Sequence, residues 1–431
     1  MKKAGNLFLA IAAALILALG GSGCTDDSDA APPAEDAPKY VILMVPDGMG
    51  LSNVTAARIF KNGPNGDPLD FEELPYIGYQ RTHSRNSTVT DSAAAASAWA
   101  SGEKFNNGEI SCLDDNGDGV CDGTRINTMT VLEIAEQKGL STGLVATSDI
   151  THATPAVFGA HVHNRKCESE VFEQFLANNI EVLLGGGIAT NRSSCLLTAT
   201  DAAYNANLIT DAQNNHGYTY VTTETELAAV PANTGKLLGL FKDGGLTPIY
   251  QRGAANDEPT LAEMTEAALK VLGQNEDGFF LMVEGSQIDW ANHARDLKYQ
   301  IGETLDFNDA FKVVKNWAAQ DKDRYNNTLV VVVADHETGG FIIEGPYGTL
   351  SNAGDTATQA TDMAGNLLTD DDANPIYEAD LEGFFGSNAA NYTTQSANHT
   401  AVDTIIWSNN WVCGQAMDNT DLYNIMVNWM N

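Results

Sequence analysis

Three short segments of the 431-residue chain carry side chains that could do chemistry together. In the first, Asp91-Ser92 opens the alanine-rich stretch from Ser92 to Ala100. A serine at a helix N-terminus has unpaired backbone donors beside it, and the helix field there favours an alkoxide or a bound phosphate oxygen. Taken alone, Ser92 reads better as a plain N-cap. The second segment is Asp289-Trp-Ala-Asn-His293. If it is helical, positions four apart share a face, so one carboxylate and one imidazole can grip one ion. The third is Asp335-His336, with His399 much further along. Mixed nitrogen and oxygen donors of this kind suit Zn²⁺. Asp47, Thr154 and Glu284 offer oxygen only, which better suits Mg²⁺.

These groups need elements that bring them together. Tyr40 to Pro46 is a continuous apolar run of β-formers ending in Asp47-Gly48, and similar runs are Leu144 to Thr147, Val182 to Leu184, Phe279 to Val283 and Leu329 to Ala334. Helical spacing is expected from Ser92 to Ala100, from about Thr128 to Lys138 with Gly139 as the stop, and onward from Asp289 through Ala319. Short apolar strands separated by helices predict an α/β fold: a large, mostly parallel central sheet with helices on both faces and surface insertions. Ligands gather at the carboxyl ends of such strands. Asp47, Glu284 and Asp335 all stand at such ends, which is hard to explain for all three as ordinary loop acids.

The chain's remaining features bound its setting. Lys2 and Lys3 followed by an apolar run from Leu7 to Leu19 have the layout of an export signal over residues 1–23. Small residues lead into Cys24 as in a bacterial lipoprotein site, although Gly21 replaces the larger aliphatic residue usual there, so both a lipid-anchored and an unlipidated form are compatible with it. Residues 24–38 read as a flexible acidic tether, and 39–431 as one catalytic domain. A formal charge of −34 excludes a nucleic-acid backbone as partner, since that binding needs Lys and Arg against phosphates. Most of those acids form a hydrated surface.

Among six cysteines in an exported chain, Cys112 with Cys121 and Cys167 with Cys195 are natural disulfide pairs. Two insertions are expected, at about 105–125 and about 345–396. The first contains DDNGDG, where Asp114, Asn116 and Asp118 have the alternation of a calcium loop but no distal Glu follows; Ca²⁺ and a plain acidic turn both fit.

Six segments together carry a resemblance. Pro46-Asp-Gly-Met-Gly50, Thr90-Asp-Ser-Ala-Ala94, His152-Ala-Thr-Pro-Ala156 followed by Arg165, Val283-Glu-Gly-Ser-Gln-Ile-Asp289, Ala334-Asp-His-Glu-Thr338 and Asn398-His-Thr400 occur in family order from about residue 39 to 410. In these the sequence resembles the bacterial and animal alkaline phosphatase family. The resemblance implies hydrolysis of phosphate monoesters at alkaline pH through a phosphoserine at Ser92, with two zinc ions and one magnesium ion. It implies Asp289, His293 and His399 as ligands of the first zinc, Asp47, Asp335, His336 and Ser92 around the second, and Thr154 and Glu284 completing a magnesium site bridged by Asp47. Arg165 matches the arginine that clamps phosphate, with Asp91 and His152 just outside the metal shell.

His152 stands where the best-known enterobacterial member has aspartate, and Trp290 where it has lysine, so Trp290 meets substrate without that lysine's charge. The family also implies a homodimer, and a location in the periplasm, on the outer side of a membrane or outside the cell. Rival readings are a sulfatase or phosphodiesterase of the same superfamily and a calcium-binding surface protein. The sulfatase nucleophile motif is absent around Ser92, a diesterase typically carries Thr there, and a surface protein leaves the six ordered segments without a reason.

Overall fold

A computed structural model describes residues 37–63, 65–121, 129–188, 195, 202–342, 397–410 and 416–431. The export signal, most of the tether, Cys24, Cys413 and the whole of the second expected insertion lie outside the described residues. By contacts the chain divides into units 1–31 and 32–431, and every described residue belongs to the second.

The strands are β1 (Lys39–Val45), β2 (Tyr76–Arg81), β3 (Ser141–Asp149), β4 (Val182–Gly186), β5 (Thr219–Val221), β6 (Leu237–Leu240), β7 (Gly278–Glu284), β8 (Thr328–Val333), β9 (Glu337–Thr338), β10 (His399–Thr400), β11 (Thr404–Ser408) and β12 (Ala416–Asp418). Ten of them form one sheet in the order β12-β2-β11-β8-β1-β7-β3-β4-β6-β5. From β8 to β5 every pairing is parallel, and among the described residues β11 is the one reversed strand of this sheet, antiparallel to both neighbours. The expected mostly parallel α/β sheet is what forms.

Burial on both faces explains the continuous apolar runs. Along β1, Ile42 and Met44 enter one core layer while Val41, Leu43 and Val45 enter the other. Alternate residues of a strand point to opposite faces, so a strand covered on both sides needs apolar residues throughout. Helices α1 (Leu51–Asn62), α7 (Glu224–Ala228), α8 (Leu261–Leu272) and α10 (Leu297–Ala319) contribute to the first layer. Helices α2 (Ser92–Ser101), α3 (Val131–Gln137), α4 (Ala153–Gly159), α5 (Glu168–Ala177) and α6 (Ala202–Asn214) contribute to the second.

Two helical expectations shift. Thr130 rather than Thr128 begins the helix near Gly139, capping α3 in a box with Glu133. The pattern after Asp289 is two helices: α9 (Gln287–Ala294) stops at Arg295, which takes a left-handed conformation (φ 56°), and Asp296 then N-caps α10. A periodic sequence does not reveal this break, because the same apolar spacing resumes three residues later.

Register decides where the acids end up. β1 pairs with β7 so that Val45 lies opposite Glu284, and with β8 so that Met44 lies opposite Val332. The chains therefore leave the three central strands side by side, delivering Asp47, Glu284 and Asp335 to one edge of the sheet.

Candidate metal centre and active site

The nucleophile candidate is set by α2. All ten of its residues are buried, which an alanine-rich helix tolerates because it can be apolar around its whole circumference. Asp91 is its N-cap, accepting from the Ala94 amide at 3.0 Å, and Ser92 is its first residue. Ser92 therefore sits at the positive end of the helix, and its Oγ lies 3.3 Å from His336 Nε2.

Three imidazoles meet there, and the hydrogen bond at each ring's Nδ1 assigns its protons. His293 Nδ1 donates to the Ala397 carbonyl at 2.6 Å, and His399 Nδ1 donates to the Thr90 carbonyl at 2.9 Å. A carbonyl can only accept, so Nδ1 carries the hydrogen in both rings. Thr338 spends its hydroxyl proton on Asp289 Oδ1 at 2.5 Å, so at 3.2 Å it can only accept from His336 Nδ1. In the neutral form, all three rings thus aim a bare Nε2 lone pair inward, the tautomer of a metal ligand whose other nitrogen is anchored.

The bare atoms converge. His293 Nε2 is 3.1 Å from His399 Nε2, 3.3 Å from Asp289 Oδ2, and His399 Nε2 is 3.6 Å from Asp289 Oδ1. Donors on a tetrahedral ion at zinc–ligand bond lengths stand ~3.3 Å apart, so this triad has the span of one ion's shell. Asp47, Asp289 and His336 form a second such group, and Asp335 Oδ2 lies 3.1 Å from His336 Nε2. The i, i+4 reading of Asp289 and His293 holds; the arrival of His399 is the work of the small antiparallel ribbon β9–β10, which pairs it with Thr338.

A third group lies deeper. Both carboxylate oxygens of Asp47 and of Glu284, and the Thr154 hydroxyl, are buried without a hydrogen-bond partner in the protein. Thr154 is presented by α4 just after β3. Unpaired buried carboxylates are costly, and an oxygen-binding cation satisfies them at once. The donors present therefore fit metal ions on the chemistry of the set.

Electrostatics agree. Burial, together with Asp335 and Asp289 nearby, pushes Asp47 well above the usual carboxylate range. Burial raises Glu284 to about 7. Against burial, the imidazoles hold Asp335 and Asp289 low, while Asp289 raises His293. Four carboxylates in one pocket are more negative charge than the neighbouring histidines offset.

Arg165 closes the site. Its Nη1 donates to Asp91 Oδ2 at 3.0 Å and its Nη2 donates to His152 Nε2 at 3.2 Å. Enclosure, then the Arg165 cation, drives His152 down to about 3, so it stays neutral. The Trp290 ring stands edge-on to His152 (centroids 5.9 Å apart, 84°) and against Gly245.

The structure also recruits residues the sequence did not single out. Asn292 Nδ2 donates to the Gly48 carbonyl (3.1 Å), Asn53 Nδ2 donates to Asn292 Oδ1 (3.0 Å), and the Gly48 amide donates to Asp335 Oδ1 (3.1 Å). Gly48 has φ +72°, and a Cβ there would stand 2.7 Å from Asp289 Cα; a side chain would push Asp289 on α9 away from the strand end that carries Asp47. Thr338 closes the segment Ala334–Thr338, but its two-way role, donating to Asp289 and accepting from His336, depends on folding.

Away from the metal groups, Cys112–Cys121 and Cys167–Cys195 are bonded, as paired above. In the acidic loop, Asp114 accepts from the Asp118 and Gly119 amides, Asn116 from the Asp118 amide and Asp118 from the Val120 amide. Among the described residues no helix is long and apolar enough to cross a membrane.

An α/β sheet carrying a serine at a helix N-terminus beside clustered metal donors is the layout of a metal-binding hydrolase. The chain belongs to the alkaline phosphatase family, whose family model matches residues 38–428. It is 38% identical over 349 residues to alkaline phosphatase 3 of Bacillus subtilis, covering 78% of this chain and 69% of that one. Its fold matches a cold-active alkaline phosphatase from a psychrophilic Shewanella sp. (TM-score 0.68, 27% identity, 91% of this chain and 100% of that one). It also matches a variant of the alkaline phosphatase of the Antarctic bacterium TAB5 with Mg bound in its M3 site (TM-score 0.63, 26% identity, 92% and 98%). The protein is thus an enzyme of phosphate monoester hydrolysis.

Proposed function

We propose that hydrolysis proceeds through a covalent phosphoserine at Ser92, with two zinc ions and one magnesium ion per chain. The observation that carries this reading is the set of three anchored imidazoles, each with Nε2 turned toward Ser92 or the carboxylates beside it. Asp289, His293 and His399 would hold one zinc; Asp47, Asp335 and His336, with Ser92, the other; Asp47, Thr154 and Glu284 the magnesium. The Mg-bound TAB5 relative supports the third assignment by likeness. When bound, such ions supply Lewis acidity, lowering the pKa of oxygen nucleophiles and offsetting phosphoryl charge.

The chain's own groups do the rest. Ser92 Oγ forms the bond to phosphorus as the ester oxygen leaves with the alcohol; water then takes the phosphoryl group and restores the serine. The amides at the start of α2 and the guanidinium of Arg165 receive the phosphoryl oxygens. Asp91 and His152 hold that guanidinium at two nitrogens. Trp290 lines this side without a charge of its own.

The reading extends to the chain's setting. Residues 1–23 direct export, to the periplasm, the outer side of a membrane or beyond; Cys24 is the site where a lipid anchor would attach. The functional unit is a homodimer, and the loop of Asp114, Asn116 and Asp118 either takes up a calcium ion or serves as a plain acidic turn. Sedimentation, mass of the processed N-terminus and calcium titration test these three in turn.

The central test is phosphate release from a simple aryl monoester at alkaline pH by the mature protein as made, after chelation, and after return of Zn²⁺ and Mg²⁺. Turnover lost on chelation and restored by both ions together supports the reading. Absence of turnover in every state refutes it, and turnover indifferent to chelation with no metal found by elemental analysis refutes the metal assignments.

A further inference from the structure

The first expected insertion begins with a turn that the chemistry above does not use. Residues Asn106 to Glu109 close on a Glu109 N–H to Asn106 carbonyl bond of 3.1 Å, with Gly108 at φ +91° in the third position, where such a turn calls for glycine. The buried Glu109 carboxylate fastens it from below, accepting from the Asn106 amide at 2.7 Å and from Asn106 Nδ2 at 2.8 Å.

This turn touches both partners of the phosphate site. On one side, Asn107 Oδ1 accepts from the Asp91 amide at 3.2 Å and Asn107 Nδ2 donates to the Val89 carbonyl at 3.0 Å, bracketing the backbone that leads into Ser92. On the other, the Gly108 carbonyl accepts from the Arg165 amide at 2.7 Å. Ile110 and Val162 then extend the contact by an antiparallel bridge with both bonds at 3.1 Å. Arg165 in turn donates to Asp91. The four groups form a closed circuit in which consecutive residues of one rigid turn hold the nucleophile's segment and the arginine's segment.

We propose that the Asn107-Gly108 turn is the gauge that sets the reach of Arg165 toward a phosphoryl group on Ser92, making Asn107 and Gly108 positioning residues. The proposal rests on the reading of Arg165 as the phosphate clamp. Side-chain pairing of Arg165 with Asp91 fixes only one end of a long, flexible side chain; the Gly108 carbonyl fixes its backbone. Misplacement of a charged donor by a fraction of an ångström is costly in a site of this kind.

A double-mutant cycle on the metal-loaded protein tests this. Gly108→Ala, which puts a side chain at a left-handed backbone position, should lower kcat/KM about tenfold and weaken competitive inhibition by inorganic phosphate by a similar factor. Asn107→Ala, at an exposed position where no buried hole results, should do so by about threefold. In an Arg165→Ala background both substitutions should change these constants by less than about twofold, because the group they act through is gone. Bound metal should be unchanged throughout. Losses of equal size with and without the guanidinium, or two silent single variants, would overturn the proposal. An Arg165→Ala protein with unaltered kinetics and phosphate inhibition would instead sink the clamp reading on which it stands.

Discussion

Asp289, His293 and His399 stand at the rim of the site with their side chains 7%, 31% and 16% exposed, whereas Asp47, Thr154 and Glu284 form its floor with no exposure at all. The rim contains its own cation source: Asp289 is held low and His293 high, so the pair can share a charge without an ion. The floor has no basic side chain among its donors, and its oxygens are orphaned. Rim donors can therefore exist in a metal-free protein at modest cost, while floor donors must either take up protons or hold a cation. Catalysis should depend on both, but the stability of the folded chain should depend on the floor.

The largest expected effect lies between the two, at Ser92. Ser92→Ala should lower kcat by at least about 10³-fold while bound zinc and magnesium remain. Retention of most turnover would break the phosphoserine reading outright. The next effect separates rim from floor. Chelation should lower the melting temperature by about 5–10 °C, since ligands bound only to the folded state stabilise it. Glu284→Gln should recover part of that loss in the chelated protein by removing a buried carboxylate, whereas His293→Ala should not. Equal behaviour of the two variants in a thermal scan would erase the distinction.

A smaller effect concerns the wall beside Arg165. Trp290→Lys should tighten competitive inhibition by phosphate, by about tenfold, because it adds a cation where the indole brings none. Equal inhibition constants for the two proteins would remove Trp290 from the substrate surface.

The smallest effect belongs to an ion pair away from the metals. His161 Nε2 lies 3.2 Å from Glu133, and against the burial of both groups the pairing raises His161 while holding Glu133 low. A histidine whose folded pKa is raised contributes stability fully below its ordinary 6.5, and loses it as pH climbs through the raised value. His161→Gln should thus cost about 1 kcal/mol in urea unfolding at mildly acidic pH, and less at alkaline pH. A cost that grew with pH would contradict the assignment.

Much of the site was legible before folding because its donors are punctuation to local patterns. Glu284 ends an apolar strand, Asp47 and Asp335 each follow one, Ser92 opens an alanine helix, and Asp289 and His293 share one helical face. Each of these placements depends on residues within a turn or a strand length, where periodicity and capping are strong. The family likeness added Arg165 and assigned His399 and Thr154, already among the candidate donors, to particular ions. Illegible in either way were Thr338 as a hinge between His336 and Asp289, the Asn53–Asn292 bond under Gly48, and the break at Arg295.

By itself, then, the sequence determined a buried parallel sheet, the elements on which most donors sit, and the kinds of atom they offer. Only the tertiary structure decided which atoms meet. His293 and His399 are 106 residues apart in sequence yet have Nε2 atoms 3.1 Å apart, and their tautomers are set by the carbonyls of Ala397 and Thr90. Such contacts come from strand register and the closing of long loops, which couple every element to the others; local propensity acts over a few residues and carries no information about them.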